Sequence, residues 1–356
     1  MTILFFAKRF YPYVGGVEKH VLEISKKLTV KSYKVIVISE KVDKTYSNHK
    51  HLNLESARFA GRPIEIESYK IDAGKDDWFK KFRIWKQLWR YKKLIKNADV
   101  VHCHDVFFWY LPFRFIFPKK PVFTTFHGYE GNNLPSNKAI FMHKLAEKLS
   151  RGNICVGDFL SKWYGTKPTY VTYGAIDSDL ISQGQILHKP DRDIMFLGRL
   201  EEDTGIMDYL KTLKILKGKN INLTMDIFGD GNLKEKARKY AKENKLSVGF
   251  KGFVPNADRY LKDYKYIFTS GYLGILEAMA VKKPVFSLYG NIMKKDYLEM
   301  APFSEFISIS KNAEEVGKNL EKYMEDRNSI NIQKAYDWVK IQTWENMVKI
   351  YLKLWS

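Results

Sequence analysis

What this chain of 356 residues has little of narrows the possibilities first. Cysteine occurs twice, at Cys103 and Cys155, with no metal-binding or redox spacing. A disulfide-stapled fold is excluded, and a reducing compartment is expected. Long apolar runs are missing as well. The amino-terminal MTILFFAKRF holds a five-residue apolar stretch before Lys8 and Arg9, too short for a secretory signal. The aromatic run FFWYLPFRFIF, Phe107 to Phe117, is interrupted by Pro112 and Arg114 and cannot span a bilayer. A soluble or membrane-peripheral protein is expected, in the cytoplasm or on the cytoplasmic membrane face. Acidic residues are also scarce: 40 Asp and Glu stand against 60 Lys and Arg, a formal charge of +20. That balance attracts polyanions, whether nucleic acid, an anionic membrane or phosphorylated small molecules. An apolar content of 45% argues against disorder, and there is no short repeat and no low-complexity tract.

What is present is an alternation of strand and helix signals from end to end, the pattern of α/β domains with parallel sheets. Ile3 to Ala7, Lys34 to Ser39, Asp99 to His102, Val122 to Phe126, Asn153 to Val156 and Thr169 to Val171 read as strands of a first half. Ile194 to Leu197, Leu223 to Phe228, Tyr266 to Thr269 and Pro284 to Ser287 read as strands of a second. The polar segment YGAIDSDLISQGQILHKPDRD separates them. The expected architecture is two Rossmann-like domains with a ligand in the cleft between the carboxyl ends of their strands.

Six stretches carry candidate chemistry. YVGGVEKHV places Gly15 and Gly16 just before a helix, where backbone can approach a ligand and helix amides favour an anion. A tight strand-to-helix turn is the plainer explanation, although Lys8 and Arg9 nearby favour a phosphate. FTTFHGYEG sets His127 at a strand end beside Gly128, and VHCHD puts His102 and His104 on one face of a strand. Those histidines suit hydrogen bonds to a sugar or phosphate, or a purely structural role; no Asp, Glu or Cys spacing supports a metal. FLGRLEED places Arg199 after Gly198 at a strand end, fit for a bidentate grip on a diphosphate or for an ion pair with Glu201, Glu202 or Asp203. IFGDGNL adds Gly229, Asp230 and Gly231 in a second glycine turn. SGYLGILEAMAVKKPVFS is the most specific: the amides of Leu273 and Gly274 open a helix in which Glu277 is placed to accept from vicinal ribose hydroxyls.

In this order the motifs resemble the retaining glycosyltransferases of the GT-B fold, in particular glycosyltransferase family 4. The likeness runs from FYPYVGGVEKHVLEISKKL through DVVHCHD, FTTFHGYEG, YGAID, FLGRLEED, IFGDGNL and GFVP to ILEAMAVKKPV. QTWENMVKIYLKLW resembles the family's C-terminal helix, which crosses back onto the N-terminal domain. The resemblance implies an acceptor domain over 1–175 together with 336–356, and a nucleotide-sugar domain over 176–335. It implies that Gly15 and Gly16 border the donor phosphate and acceptor, that His127 contacts the transferred sugar and phosphate, and that Arg199 neutralises the leaving diphosphate. Gly198 and the Gly229–Asp230 turn would flank the nucleotide, Phe253 and Val254 would present backbone groups to the base, and Glu277 would hold the ribose. His127, Arg199 and Glu277 are thereby the catalytic candidates.

Two positions depart from the family pattern. Thr204 stands where a lysine usually follows the arginine, and Thr269 where a first glutamate usually precedes Glu277. An altered donor site, or a degraded protein serving as a scaffold, would explain both. The implied chemistry is metal-independent hexosyl transfer from a UDP- or GDP-sugar, with no cofactor, to a glycan or lipid-linked acceptor in cell-surface polysaccharide or glycolipid synthesis. No nucleic-acid motif is visible, so no nucleic acid is expected as partner despite the charge. DDWFKKFRIWKQLWRYKKLIKNAD, Asp76 to Asp99, reads as one helix with an apolar stripe of Trp78, Phe82, Trp85 and Trp89, joined by Leu88 and Ile95. Eight lysines and arginines lie between Lys80 and Lys96, with no acidic residue among them. The stripe suits an anionic membrane interface or a packed core under a solvated basic face, and His104 with these aromatics is the acceptor-side candidate set.

Overall fold

The computed structural model describes residues 1–11, 15–41, 58–59, 62–63, 66–75, 77–128, 134–184 and 190–356. The chain forms two compact units. Unit 1 comprises Met1–Glu130, Pro135–Thr172 and Trp344–Ser356; unit 2 comprises Gly131–Leu134 and Tyr173–Thr343.

The strands of unit 1 are β1 (Thr2–Ala7), β2 (Lys34–Glu40), β3 (Arg58–Phe59), β4 (Arg62–Pro63), β5 (Ile66–Ile71), β6 (Val100–His104), β7 (Val122–Phe126), β8 (Gly152–Val156) and β9 (Tyr170–Thr172). Seven of them form one parallel sheet in the order β5-β2-β1-β6-β7-β8-β9, while β3 and β4 pair as a short antiparallel hairpin. Its central strands are buried along their length, as near-continuous apolar runs covered on both faces should be. The helices are α1 (Gly16–Val30), α2 (Lys80–Trp89), α3 (Lys92–Asn97), α4 (Phe107–Ile116), α5 (Asn137–Leu149) and α6 (Phe159–Tyr164).

Unit 2 carries β10 (Arg192–Leu197), β11 (Met225–Phe228), β12 (Val248–Gly252), β13 (Tyr264–Phe268), β14 (Val285–Leu288) and β15 (Ser308–Ser310), parallel in the order β12-β11-β10-β13-β14-β15. Its helices are α7 (Ser178–Gln183), α8 (Ile206–Gly218), α9 (Lys234–Glu243), α10 (Tyr272–Ala280), α11 (Ile292–Glu299), α12 (Ala313–Glu325) and α13 (Ile332–Val339). A core of Ile194, Phe196, Leu210, Ile227, Phe268 and Phe286 joins the sheet to α8 and α12. The last helix, α14 (Trp344–Trp355), returns to unit 1 and packs on α1, burying Trp344, Val348 and Tyr351 completely.

Besides the short β3–β4 hairpin, three strands of the two parallel sheets escape the sequence pattern: β5, β12 and β15. All three are sheet edges, where strands are short and carry polar residues, so the apolar signal fades. The basic helix expected over 76–99 is a correction. The described helix starts at Lys80 and stops at Trp89, because the Arg90 and Tyr91 amides bond back to the Gln87 and Leu88 carbonyls and tighten the turn. A second piece, α3, then buries Ile95. Asp76, residues 12–14 of the first glycine loop and Tyr129 to Gly131 of the His127 segment lie outside the described residues.

Candidate functional site

The order of the second sheet reverses between β10 and β13. Loops leaving the carboxyl ends of those two strands diverge, and such a switch point is where open parallel sheets hold ligands. Gly198 and Arg199 leave β10. Thr269, Ser270 and Gly271 leave β13 and lead into α10. The sequence candidates of the second half therefore emerge along one sheet edge: Gly229 and Asp230 follow β11, and Phe253 and Val254 follow β12.

The arginine turn is built by close backbone approach. Gly229 has φ +155°, and a Cβ there would fall 1.8 Å from the Gly198 carbonyl oxygen, so only glycine permits the two turns to touch. The Leu200 amide donates to the Asp230 carbonyl, and Glu201 accepts from the Asn232 amide. Asp230 keeps its carboxylate on its own loop, accepting from the Gly231 amide and Lys234. Arg199 donates through Nη2 to Asp203 Oδ2 at 2.8 Å, an i,i+4 pair within unit 2, and its side chain stays 61% exposed. Thr204 does not face outward as a lysine would. Its hydroxyl, 2.7 Å from the Arg199 carbonyl oxygen and 2.8 Å from that of Glu201, ties the turn shut. Gly205 then takes the left-handed conformation, φ +75°, that starts α8.

Thr269 is similarly engaged. It is buried, and its hydroxyl donates to the Leu197 carbonyl at 2.8 Å, bridging the two diverging loops. Tyr209 Oη reaches Ser270 Oγ at 2.9 Å, and Ser270 Oγ accepts the Leu288 amide, so the approach to α10 is fixed from below. At the start of α10 the Tyr272 amide donates to Tyr297 Oη at 2.7 Å, with the two rings stacked at 3.8 Å. The Ile275 amide reaches the Gly271 carbonyl. Among the described residues this leaves the Leu273 and Gly274 amides as the open donors of the first turn. Glu277 lies one turn further on, buried.

In unit 1 the candidate histidines belong to a buried network. Trp355 Nε1 is only a donor and lies 3.0 Å from His102 Nδ1, so that nitrogen carries no proton. The neutral ring then donates from Nε2 to Thr125 Oγ1 at 2.7 Å. Thr125 Oγ1 is 2.9 Å from Tyr351 Oη, which is 2.8 Å from His20 Nε2. His104 Nδ1 is 2.8 Å from His127 Nε2, while among the described residues His104 Nε2 is buried without a partner. Leaving a bare lone pair there costs less than leaving an unpaired N–H. The proton therefore sits on His104 Nδ1, His127 Nε2 accepts it, and the neutral His127 ring carries its own proton on Nδ1. Burial holds His20 down to about 3, and burial with neighbouring imidazoles holds His102, His104 and His127 well below the ordinary histidine range. The Asp105 carboxylate accepts the His127 amide and fixes its backbone. His20, His104 and His127 bring one nitrogen each within 4.8 Å of one another, but these rings hydrogen-bond to each other and to Tyr351, and we assign them no metal. His20, Tyr351 and Trp355 were not among the sequence candidates; their only sequence signal is the i,i+4 spacing of the last two.

Gly15 caps α1 in an extended conformation, and Gly16 is its first residue. Of the basic segment, Trp78, Phe82 and Trp89 are exposed at 83%, 57% and 52%, whereas Trp85 donates its indole N–H to the Phe108 carbonyl and is half-buried. Ile84 and Leu88 form the packed side of α2, which rests on α4. No described helix is long and apolar enough to cross a membrane.

Comparison with known proteins places these units. Residues 14–179 match the model described as Glycosyltransferase Family 4, and residues 177–338 match Glycosyl transferases group 1. No curated protein matches the sequence. Among solved structures, a glycosyltransferase from Rickettsia africae ESF-5 is similar with 16% identity and a TM-score of 0.72, covering 99% of this chain and 97% of that one. Anabaena Alr3699/HepE in complex with UDP shares 15% identity at a TM-score of 0.69, covering 99% of both chains. A mutant of S. aureus TarM in complex with Fondaparinux, alpha-GlcNAc-glycerol and UDP shares 11% identity at 0.67, covering 100% and 99%. With a family 4 domain followed by a group 1 glycosyl transferase domain on two parallel α/β sheets, the chain is a glycosyltransferase of the GT-B fold.

Proposed function

We propose that the protein transfers a hexosyl residue from a UDP- or GDP-sugar to an acceptor hydroxyl with retention of anomeric configuration, without a metal or other cofactor. The observation that carries this reading is the convergence, at the switch point of the second sheet, of the Arg199 turn, the open Leu273 and Gly274 amides and buried Glu277. That edge offers donors to a diphosphate and an acceptor to a ribose. The UDP bound to the Anabaena and S. aureus structures agrees with it.

In this scheme the acceptor oxygen attacks on the face from which the nucleotide departs, and the leaving phosphate oxygen takes the acceptor's proton. Arg199 and the α10 amides stabilise the departing diphosphate as fixed donors. His127, neutral with its proton on Nδ1, donates to a hydroxyl of the transferred sugar and takes no part as an acid.

The acceptor is a glycan or lipid-linked saccharide, reached from the cytoplasmic face of the membrane. Exposed Trp78, Phe82 and Trp89 among Lys80, Lys81, Lys86 and Arg90 support an interfacial, anionic-lipid contact. A scaffold reading is favoured by one observation: Thr204 and Thr269 direct their hydroxyls at backbone instead of outward. Thermal shift against a panel of nucleotide sugars, followed by transfer with NMR of the product's anomeric proton, separates these. Stabilisation by one donor and an α-product from an α-donor are expected. Stabilisation by none overturns the function, and binding without turnover favours the scaffold.

A further inference from the structure

Helix α11 follows β14, next to the strand that feeds α10, and carries Lys294 at its third position. Asn291 caps the helix by accepting the Lys294 amide at 2.7 Å. Lys294 is only 6% exposed. Its ammonium lies 3.9 Å from the centroid of the Tyr297 ring, the ring that stacks on Tyr272 and whose hydroxyl receives the first amide of α10. Among the described residues no carboxylate lies within ion-pair distance of Nζ and no oxygen accepts from it. Lys70, a half-buried lysine, shows the contrast: its ammonium donates to the Tyr11 carbonyl and Ser39 Oγ. A buried cation left with one aromatic face is costly unless an anion completes it.

We propose that Lys294 is a phosphoryl-binding residue of the donor site, its ammonium taking a diphosphate oxygen beside the Leu273 and Gly274 amides. It thereby provides from α11 the charge that Thr204 does not provide from the arginine turn. The field at the site agrees: burial lowers the Lys294 pKa to about 8, Asp203 pulling it up and Arg199 pushing it down, so the lysine senses both members of the arginine pair. This inference rests on the nucleotide-sugar reading above.

The test is calorimetric titration of the full-length protein, wild type, Lys294→Met and Lys294→Arg, with UDP and GDP and with uridine and guanosine. The expected result is a tenfold or greater loss of diphosphate affinity in Lys294→Met, unchanged affinity for the nucleoside, and recovery in Lys294→Arg. The unliganded melting temperature of Lys294→Met should equal or exceed that of the wild type, because an unpaired buried charge has been removed. Equal diphosphate affinity in wild type and Lys294→Met overturns the inference and leaves the function standing. Parallel loss of nucleoside affinity and of melting temperature also overturns it, in favour of a structural lysine. A wild type that binds neither diphosphate overturns the function and the inference together.

Discussion

Five histidines of unit 1, His20, His102, His104, His127 and His143, are held neutral by burial, and the consequence is a domain that acid should unfold. His20 and His143 are lowered to about 3 and about 4, and the other three lie well below 6.5. In the unfolded chain each returns to about 6.5 and takes up a proton as the pH falls through that value. The unfolded state then binds more protons than the folded one, so stability falls as pH falls from about 6.5 towards 4. From pH 7 to 5.5 the loss integrates to about 1.2 kcal/mol per histidine, or about 6 kcal/mol for five. That is as large as the whole stability of many domains. Carboxylates stay ionised over this interval and contribute little. Unit 2 has no described histidine and should be nearly indifferent. Urea unfolding at pH 7.0, 6.0 and 5.5, followed by fluorescence with Trp338 retained alone for unit 2 and Trp344 and Trp355 retained for unit 1, reads the two separately. The expected record is a unit 1 midpoint that collapses with acid beside a unit 2 midpoint that holds. A unit 1 midpoint flat to pH 5.5, or equal losses in both units, would refute the neutral-cluster reasoning.

Tyr351→Phe removes the hydroxyl between Thr125 and His20, leaving a buried imidazole nitrogen unpaired; a loss of about 1–3 kcal/mol is expected by urea denaturation, and none would deny the bridge. Gly229→Ala drives a Cβ into the Gly198 carbonyl, so unit 2 should lose more than about 2 kcal/mol together with nucleotide binding; a soluble variant that binds normally counts against the turn-on-turn geometry. Arg199→Ala disrupts only an exposed i,i+4 pair, about 0.5 kcal/mol or less, yet should lower kcat by roughly 100- to 1,000-fold; near-normal turnover would remove its assigned role. Replacing Trp78, Phe82 and Trp89 together by Ala should abolish co-sedimentation with anionic liposomes without changing the melting temperature. Binding that ignores anionic lipid content would instead mark the segment as a plain basic face.

Much of the fold was readable because buried parallel strands announce themselves. ILFFA, VIVIS and VFTTF are continuous buried runs, and each lies within a residue of its expected place. Of the four edge strands only β9 was readable; IESYKI and VGFKG are half-exposed and patterned like loops. Likewise the segment from Asp76 to Asp99 has helical composition throughout, and only the backbone hydrogen bonds at Arg90 and Tyr91 divide it. The alternation of VHCHD placed His102 and His104 on one face, and their rings do stack at 5.0 Å. Their partners were invisible because Tyr351 and Trp355 lie more than two hundred residues away and read simply as apolar positions of an amphipathic helix. Local pattern shows which residues are buried; it does not show which distant polar groups meet them.

The same distinction bears on whether this donor site is degraded. By sequence, Thr204 and Thr269 are two absences, a missing cation and a missing acceptor. In the structure each threonine closes a loop, one tying the arginine turn and the other bridging β10 to the start of α10. Those hydroxyl bonds leave the scaffold reading open, but they give no reason to bury, beside the same helix, an ammonium with no partner among the described residues. Lowering Lys294 from 10.5 to about 8 corresponds to roughly 3 kcal/mol of destabilisation at neutral pH. Methionine at that position would avoid the cost. Such an expense is offset if a diphosphate binds there, because an anion that recognises only the folded protein returns stability by mass action. The arrangement therefore favours a relocated cation over a lost one, and an operating transferase over a scaffold.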